Sequence, residues 1–253
     1  MGLVKDDSEE KPTPERFKIA LNEGARLKSA FLKNVNYEIR TPLNAIVGHA
    51  ELLVAVIPSG SQYREIRHSA QVIVDASSRL ERNFRAILDL SKLDAVTFTL
   101  APATIKLSEL IGRQLFEVQP EAERKAITVA CEIKDPEITV TIDEYCLGHA
   151  LANLLDNAIK FTERGRVTVR VYRGSDGRIC VDVEDTGIGI DPSYFPRLFE
   201  PLSQEDNSEA RRYQGMGLGL ALAKRYLAMN GAELSATSRE HEGSVFTIRL
   251  AEV

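Results

Sequence analysis

Between Pro14 and Ile57 apolar side chains recur at helical spacing. Ile39, Leu43, Ile46, Ala50, Leu53 and Ile57 alternate steps of four and three, the seam of a coiled coil or helical bundle. Leu32 and Val35 continue it upstream with a phase change near Pro42. A proline inside a helix removes a hydrogen bond, so a bend is expected one turn after Tyr37. Pro58-Ser59-Gly60-Ser61 breaks the pattern and ends on a helix-capping serine. A second helix is expected to about Asp94, with Ile66, Ala70, Ile73, Ser77, Leu80, Phe84 and Ile87 spaced by the same fours and threes. Two long helices joined by a short turn pack as an antiparallel hairpin. A lone hairpin buries little apolar surface, so a homodimer forming a four-helix bundle is expected.

After Val96 the period changes. Short β-like runs at Phe98–Ala101, Ile127–Glu132, Ile138–Ile142, Val167–Tyr172, Ile179–Glu184, Glu233–Thr237 and Val245–Leu250 alternate with helical runs at Leu107–Arg124, Asp143–Phe161 and Gly219–Met229. This predicts an α/β sandwich, a sheet covered on one side by helices. The expected organisation is a flexible leader over 1–13, a helical hairpin over 14–96 and an α/β domain over 97–253. The stretch from Phe199 to Gly215 is polar and without period, as expected of a functional lid.

Composition adds exclusions. An apolar fraction of 43% and a charged fraction of 27% are those of an ordinary folded chain, and 253 residues suffice for two small cores. A net charge of -5 leaves no basic footprint for nucleic acid. No apolar run approaches the roughly 18 residues that cross a bilayer, and no signal-peptide core opens the chain, so a cytoplasmic location is expected. The cysteines Cys131, Cys146 and Cys180 lack metal-ligand spacing and read as reduced, buried thiols.

Three segments carry candidate chemistry. On the helix containing Asn153-Leu154-Leu155-Asp156-Asn157-Ala158-Ile159-Lys160-Phe161, residues Asn153, Asn157 and Lys160 share one face. Two amides and an ammonium there suit a metal-bound triphosphate, amide oxygens toward the cation and Lys160 toward phosphate; a solvated polar face has the same pattern. Val181-Asp182-Val183-Glu184-Asp185-Thr186-Gly187-Ile188-Gly189-Ile190 is a strand ending in Asp-x-Gly-x-Gly. A carboxylate at a strand end can accept the exocyclic amine of adenine, and the glycines admit backbone to the base. Gly215-Met216-Gly217-Leu218-Gly219-Leu220 opens a helix and offers bare N–H groups to an anion.

Together these segments resemble the N, G1 and G2 boxes of the ATP-binding domain shared by histidine kinases, gyrase and the Hsp90 chaperones. Tyr194-Phe195-Pro196-Arg197-Leu198-Phe199-Glu200-Pro201 resembles the F box between them. The resemblance implies ATP and Mg²⁺ as cofactors, with Asn157 as the Mg²⁺ ligand and Asn153 and Lys160 beside the phosphates. It places Asp185 on the adenine amine, Gly187 and Gly189 along the base, and Gly215, Gly217 and Gly219 at the lid hinge and phosphate cradle. Gln214, Met216 and Leu202 depart from the usual family residues, which would loosen nucleotide affinity.

Asn34-Val35-Asn36-Tyr37-Glu38-Ile39-Arg40-Thr41-Pro42-Leu43 resembles the phosphoacceptor box of bacterial sensor histidine kinases, with Tyr37 where the family has histidine. Tyr37 points about 200° away from the seam, and Thr41 and Asn44 share its face. Imidazole offers a free lone pair at pH 7. A phenol of pKa about 10 is roughly one part in a thousand ionised, a penalty of about 4 kcal/mol unless a base such as Glu38 offsets it. A tyrosine phosphate is also more stable than a phosphoramidate, which disfavours onward transfer to a regulator aspartate. His49, His68, His149 and His241 lie in no acceptor-like context.

Three readings follow from the resemblance. One is a signalling pseudokinase that docks response regulators or another histidine kinase. Another is an active kinase that phosphorylates Tyr37. The third is a regulator phosphatase working through Glu38 and Thr41. A gyrase- or chaperone-like ATPase is disfavoured by the hairpin.

Overall fold

The computed structural model describes residues 39, 41–53, 63–94, 98–204 and 216–250. Tyr37, Glu38, Arg40 and Gly215 lie outside the described residues, as do the 1–13 leader, the upstream seam positions Leu32 and Val35, the 58–61 break, Gln214 and the lid segment 205–215. The described residues form two compact units that part between Ile73 and Val74.

In the first unit, residue 39 and residues 41–53 (α1) are helical, as is the start of α2 (Tyr63–Asp94). Of the expected α1 seam, Ile46 and Leu53 are half-buried while Leu43 and Ala50 are exposed. In α2, Ile66, Ile73, Leu80 and Ile87 are half-buried, and Ala70, Ser77 and Phe84 are exposed. Part of each seam is therefore uncovered in a single chain.

In the second unit, the end of α2 adjoins an α/β sandwich. In chain order the sandwich contains β1 (Pro102–Lys106), α3 (Leu107–Arg124), β2 (Ile127–Ile133), β3 (Thr139–Asp143), α4 (Glu144–Phe161), β4 (Gly165–Arg173), β5 (Ile179–Asp185), α5 (Gly219–Met229), β6 (Glu233–Arg239) and β7 (Gly243–Arg249). The main sheet runs β2-β4-β5-β7-β6; β2 and β4 are parallel and the other pairs antiparallel. β1 and β3 form a separate antiparallel pair. Leu110, Ile111, Leu151, Leu154, Leu155, Ala223 and Leu227 from the helices share one core with Val167, Val169, Val181, Val183 and Ile248 from the sheet. Burying such branched side chains, each worth roughly 1.5–3 kcal/mol, is the main stabilising force.

α3 and α5 begin and end where the sequence pattern places them. Asp143 starts α4 as its cap, its Oδ1 accepting the Cys146 N–H at 2.9 Å. The expected strand at Phe98–Ala101 is incorrect. Residues 98–101 have no regular structure, and the strand begins at Pro102. The Phe98 ring instead packs 6.2 Å from Tyr145 and 5.8 Å from Tyr226, and the Ala101 N–H donates to Asp143 Oδ2 at 2.8 Å. A proline lacks the N–H a ladder needs but is tolerated at a strand's first residue. The cysteine expectation needs a smaller correction: Cys146 and Cys180 are buried, but Cys131 is exposed on edge strand β2, and all three are free.

The end of α2 is tied to the sandwich by one carboxylate. Asp89 is buried, and its Oδ2 accepts from the Tyr145 hydroxyl at 2.7 Å and the Tyr226 hydroxyl at 2.6 Å. Burial, then the bond to Asp89, pushes the Tyr145 phenol up to about 12 and the Tyr226 phenol higher still. His149, one turn beyond Tyr145 with its ring 4.1 Å away, is a packing residue whose burial lowers its pKa.

Candidate nucleotide-binding site

The site residues converge from the C-terminal half of α4, the loop after β5 and the start of α5. Asp185, the last residue of β5, is 6% exposed. Its Oδ1 accepts the Gly187 N–H at 2.8 Å, and Ser244, its register partner on β7, also donates to it. Burial raises this carboxyl to about 6, against the pull of those hydrogen bonds. A buried carboxylate with few fixed donors has lone pairs left for an amine.

The glycines after it answer to packing. A side chain at Gly187 would stand 2.5 Å from the Phe161 carbonyl oxygen and 2.8 Å from Asp185 Oδ1, so the loop can lie against the end of α4 only without one. Gly189 has φ +71° and faces the Arg239 backbone. The Ile188 N–H donates to the Phe161 carbonyl at 3.2 Å, and the His241 N–H to the Ile188 carbonyl at 2.6 Å. These bonds fasten the loop to α4 on one side and to the β6–β7 turn on the other.

Asn153 and Asn157 are half-buried on α4, two turns and one turn from its end. Lys160 in the last turn holds its Nζ 4.8 Å from the centre of the Phe161 ring. A side chain at Gly219, the first residue of α5, would stand 2.9 Å from Asn153 Oδ1. Gly217 has φ +67°, its carbonyl accepts the Leu202 N–H at 2.9 Å, and a side chain there would stand 2.6 Å from the Ser203 carbonyl. Asn153 and Gly219 are thus brought together, as are Asp185, Gly187 and the end of α4. Thr41 lies half-buried on α1, in the other unit.

These residues suit a purine nucleotide: a buried acceptor, a closely packed glycine loop beside it, and two amides and an ammonium on the neighbouring helix. The asparagine oxygens are hard donors appropriate to Mg²⁺. Sequence reasoning missed Lys125. Its Nζ donates to the carbonyls of Ile159 at 2.7 Å, Lys160 at 2.9 Å and Thr162 at 3.3 Å. No local pattern signals it, because its partners lie 34 to 37 residues away.

The fold is that of a histidine kinase core. Residues 27–96 match the His Kinase A (phospho-acceptor) domain, and residues 142–253 match the Histidine kinase-, DNA gyrase B-, and HSP90-like ATPase family. The chain carries a histidine kinase core, the paired unit of two-component sensor kinases. It is 36% identical over 231 residues to the sensory/regulatory protein RpfC of Xanthomonas campestris, covering 88% of this chain and 31% of that one. It is 32% identical over 234 residues to the sensor histidine kinase RcsC of Escherichia coli, covering 91% and 24%. The chain thus spans only about a quarter to a third of these relatives' length. Full-length ShkA in complex with AMPPNP superposes with a TM-score of 0.63 at 27% identity, over 88% of this chain and 45% of that one. ThkA in complex with the response regulator protein TrrA shares the fold, with a TM-score of 0.63 at 19% identity over 97% and 68%.

Proposed function

We propose that this core belongs to an atypical sensor kinase that binds Mg·ATP and docks response regulators or a partner kinase, with Tyr37 in place of the phosphoacceptor histidine. The observation that carries the reading is the contrast between the two halves. The acceptor box is altered at its nucleophile, whereas Asp185 keeps a buried carboxyl at the strand end with closely packed glycines beside it. A buried carboxylate costs stability, which a ligand that uses it would offset. Asp185 would take the adenine amine, Asn157 the Mg²⁺, and Asn153 and Lys160 the phosphates. Bound Mg²⁺ would neutralise phosphate charge and orient the terminal phosphoryl group. Gly187 and Gly189 would face the base, and Gly215, Gly217 and Gly219 the phosphates and the lid hinge.

A tyrosine-bearing acceptor box beside an otherwise intact core resembles DivL, the atypical kinase of cell-division control. A role in cell-cycle phosphorelay follows from that resemblance. The uncovered seam residues Leu43 and Phe84 support pairing of two copies through the hairpin.

Incubation with γ-labelled ATP tests the reading. Nucleotide binding without label on the chain is the expected result. Label that disappears in Tyr37→Phe would replace it with an active tyrosine-phosphorylating kinase. Regulator dephosphorylation lost in Thr41→Ala would move the activity to a phosphatase acting through Glu38 and Thr41.

A further inference from the structure

The helix carrying the phosphate-side residues does not cap its own end. An α-helix leaves its last carbonyls without intrahelical partners, and most helices resolve this with a left-handed glycine or asparagine just beyond. α4 ends at Thr162 with φ -100° and ψ 120°, an extended residue that provides no such cap. Two groups from elsewhere serve instead. The Ile188 N–H takes the Phe161 carbonyl, and the Lys125 ammonium takes those of Ile159, Lys160 and Thr162.

Lys125 is itself held in place. Its N–H donates to the carbonyls of Glu121 and Ala122 at the end of α3, and the next residue, Ala126, turns the chain into β2 with φ 55°. The side chain then crosses to α4. Burial lowers its pKa, opposed by the charges of Glu121 and Glu163. A cation at a helix C-terminus also meets the negative end of the helix dipole.

We infer that Lys125 is a positioning residue for the nucleotide site: by pinning the last turn of α4 it sets where Lys160 presents its ammonium to the phosphates. The inference rests on the nucleotide reading above. Lys125 touches the Lys160 backbone, so its effect on ligand acts through Lys160. Loss of the ammonium removes the donor that the three carbonyls share and loosens the last turn. Asp185 is also paired into the β5–β7 ladder, so adenine should lose less than the phosphates do.

The test uses the full chain and calorimetric titration of Mg·ATP and of adenosine into wild type, Lys125→Met, Lys125→Arg, Lys160→Met and the double Met variant. Lys125→Met is expected to weaken Mg·ATP roughly tenfold, the scale of one lost charged contact, with adenosine changed less than twofold. Lys125→Arg should restore most of the loss. Because the two lysines act in one path, the double variant should bind no more weakly than Lys160→Met. Additive losses, or equal losses for adenosine and Mg·ATP, would overturn the inference. Hydrogen exchange without nucleotide supplies a separate readout. Lys125→Met should accelerate exchange at the end of α4 while the amides of β5 and β7 stay protected. Unchanged exchange at the end of α4 removes the positioning role whatever the ligand does. A wild type that binds neither Mg·ATP nor adenosine, with exchange at α4 still responding to Lys125→Met, refutes the nucleotide reading and the Lys160 role while leaving the cap itself in place.

Discussion

Asp185 links stability and ligand binding in opposite directions. Its carboxyl titrates near 6 in the folded chain, against about 3.9 when unfolded, because burial disfavours the charge. The folded state therefore holds a proton that the unfolded state has released between about pH 4 and pH 6. Linkage makes this group's stabilising contribution full below pH 4 and lost as pH rises through 6. The gap between about 3.9 and about 6 corresponds to roughly 3 kcal/mol at neutral pH. Asp185→Asn should flatten the decline in urea stability over that window and raise stability at pH 7 by about 1–3 kcal/mol. Nucleotide runs the other way, since an ionised carboxylate accepts an adenine amine more strongly than a neutral acid does. Mg·ATP affinity should fall as pH drops below 6, approaching tenfold per unit, and Asp185→Asn should bind weakly with no such dependence. Titration at pH 5, 6 and 7 checks both. A wild-type affinity independent of pH would separate Asp185 from the base.

At the scale of elements, contacts distant in sequence explain what a linear reading misses. The boundaries of α3 and α5 were legible because their causes are local: helical periodicity in both, and the glycine run that opens α5. The Asp-x-Gly-x-Gly loop was legible for the same reason, since the demand for glycine sits at the positions themselves. β1 was not. Its residues Pro-Ala-Thr-Ile-Lys are largely exposed, their apolar alternation is only Ala103 and Ile105, and it is a strand because β3 pairs with it. Asp89 gave no signal either, one acid among many on an amphipathic helix, because its partners lie 56 and 137 residues away. Asp89→Ala would leave the Tyr226 hydroxyl buried without its acceptor, at a cost of about 2–3 kcal/mol. Tyr145 is 39% exposed, so the loss of its acceptor should cost less. Introduced into Tyr226→Phe, the same change should cost distinctly less, since the orphaned donor is already gone. Urea denaturation of the four proteins in this cycle measures the coupling. Additive costs would mean that Asp89 and Tyr226 meet without energetic consequence.

For the molecule as a whole, the hairpin and the sandwich differ in how complete each is as a single chain. The sandwich closes its own core, with Leu147, Leu154, Leu155, Val167 and Val181 fully buried. The hairpin helices instead leave Leu43 at 47%, Val47 at 49%, Val74 at 56%, Phe84 at 56% and Leu88 at 44% exposed. At roughly 25 cal/mol per Å², covering several such side chains supplies several kcal/mol toward association, consistent with pairing through the hairpin. A charge on that surface should therefore separate the copies without touching the nucleotide residues. Phe84→Glu is expected to shift sedimentation from dimer to monomer at micromolar concentration, with Mg·ATP affinity unchanged within twofold. The second measurement decides how far the two functions are separable. If nucleotide binding falls with dissociation, the ATP site depends on the paired hairpin; if it holds, the sandwich is an autonomous nucleotide module. A variant that stays dimeric would place the contact between copies elsewhere, leaving the exposed seam to a regulator or a partner kinase.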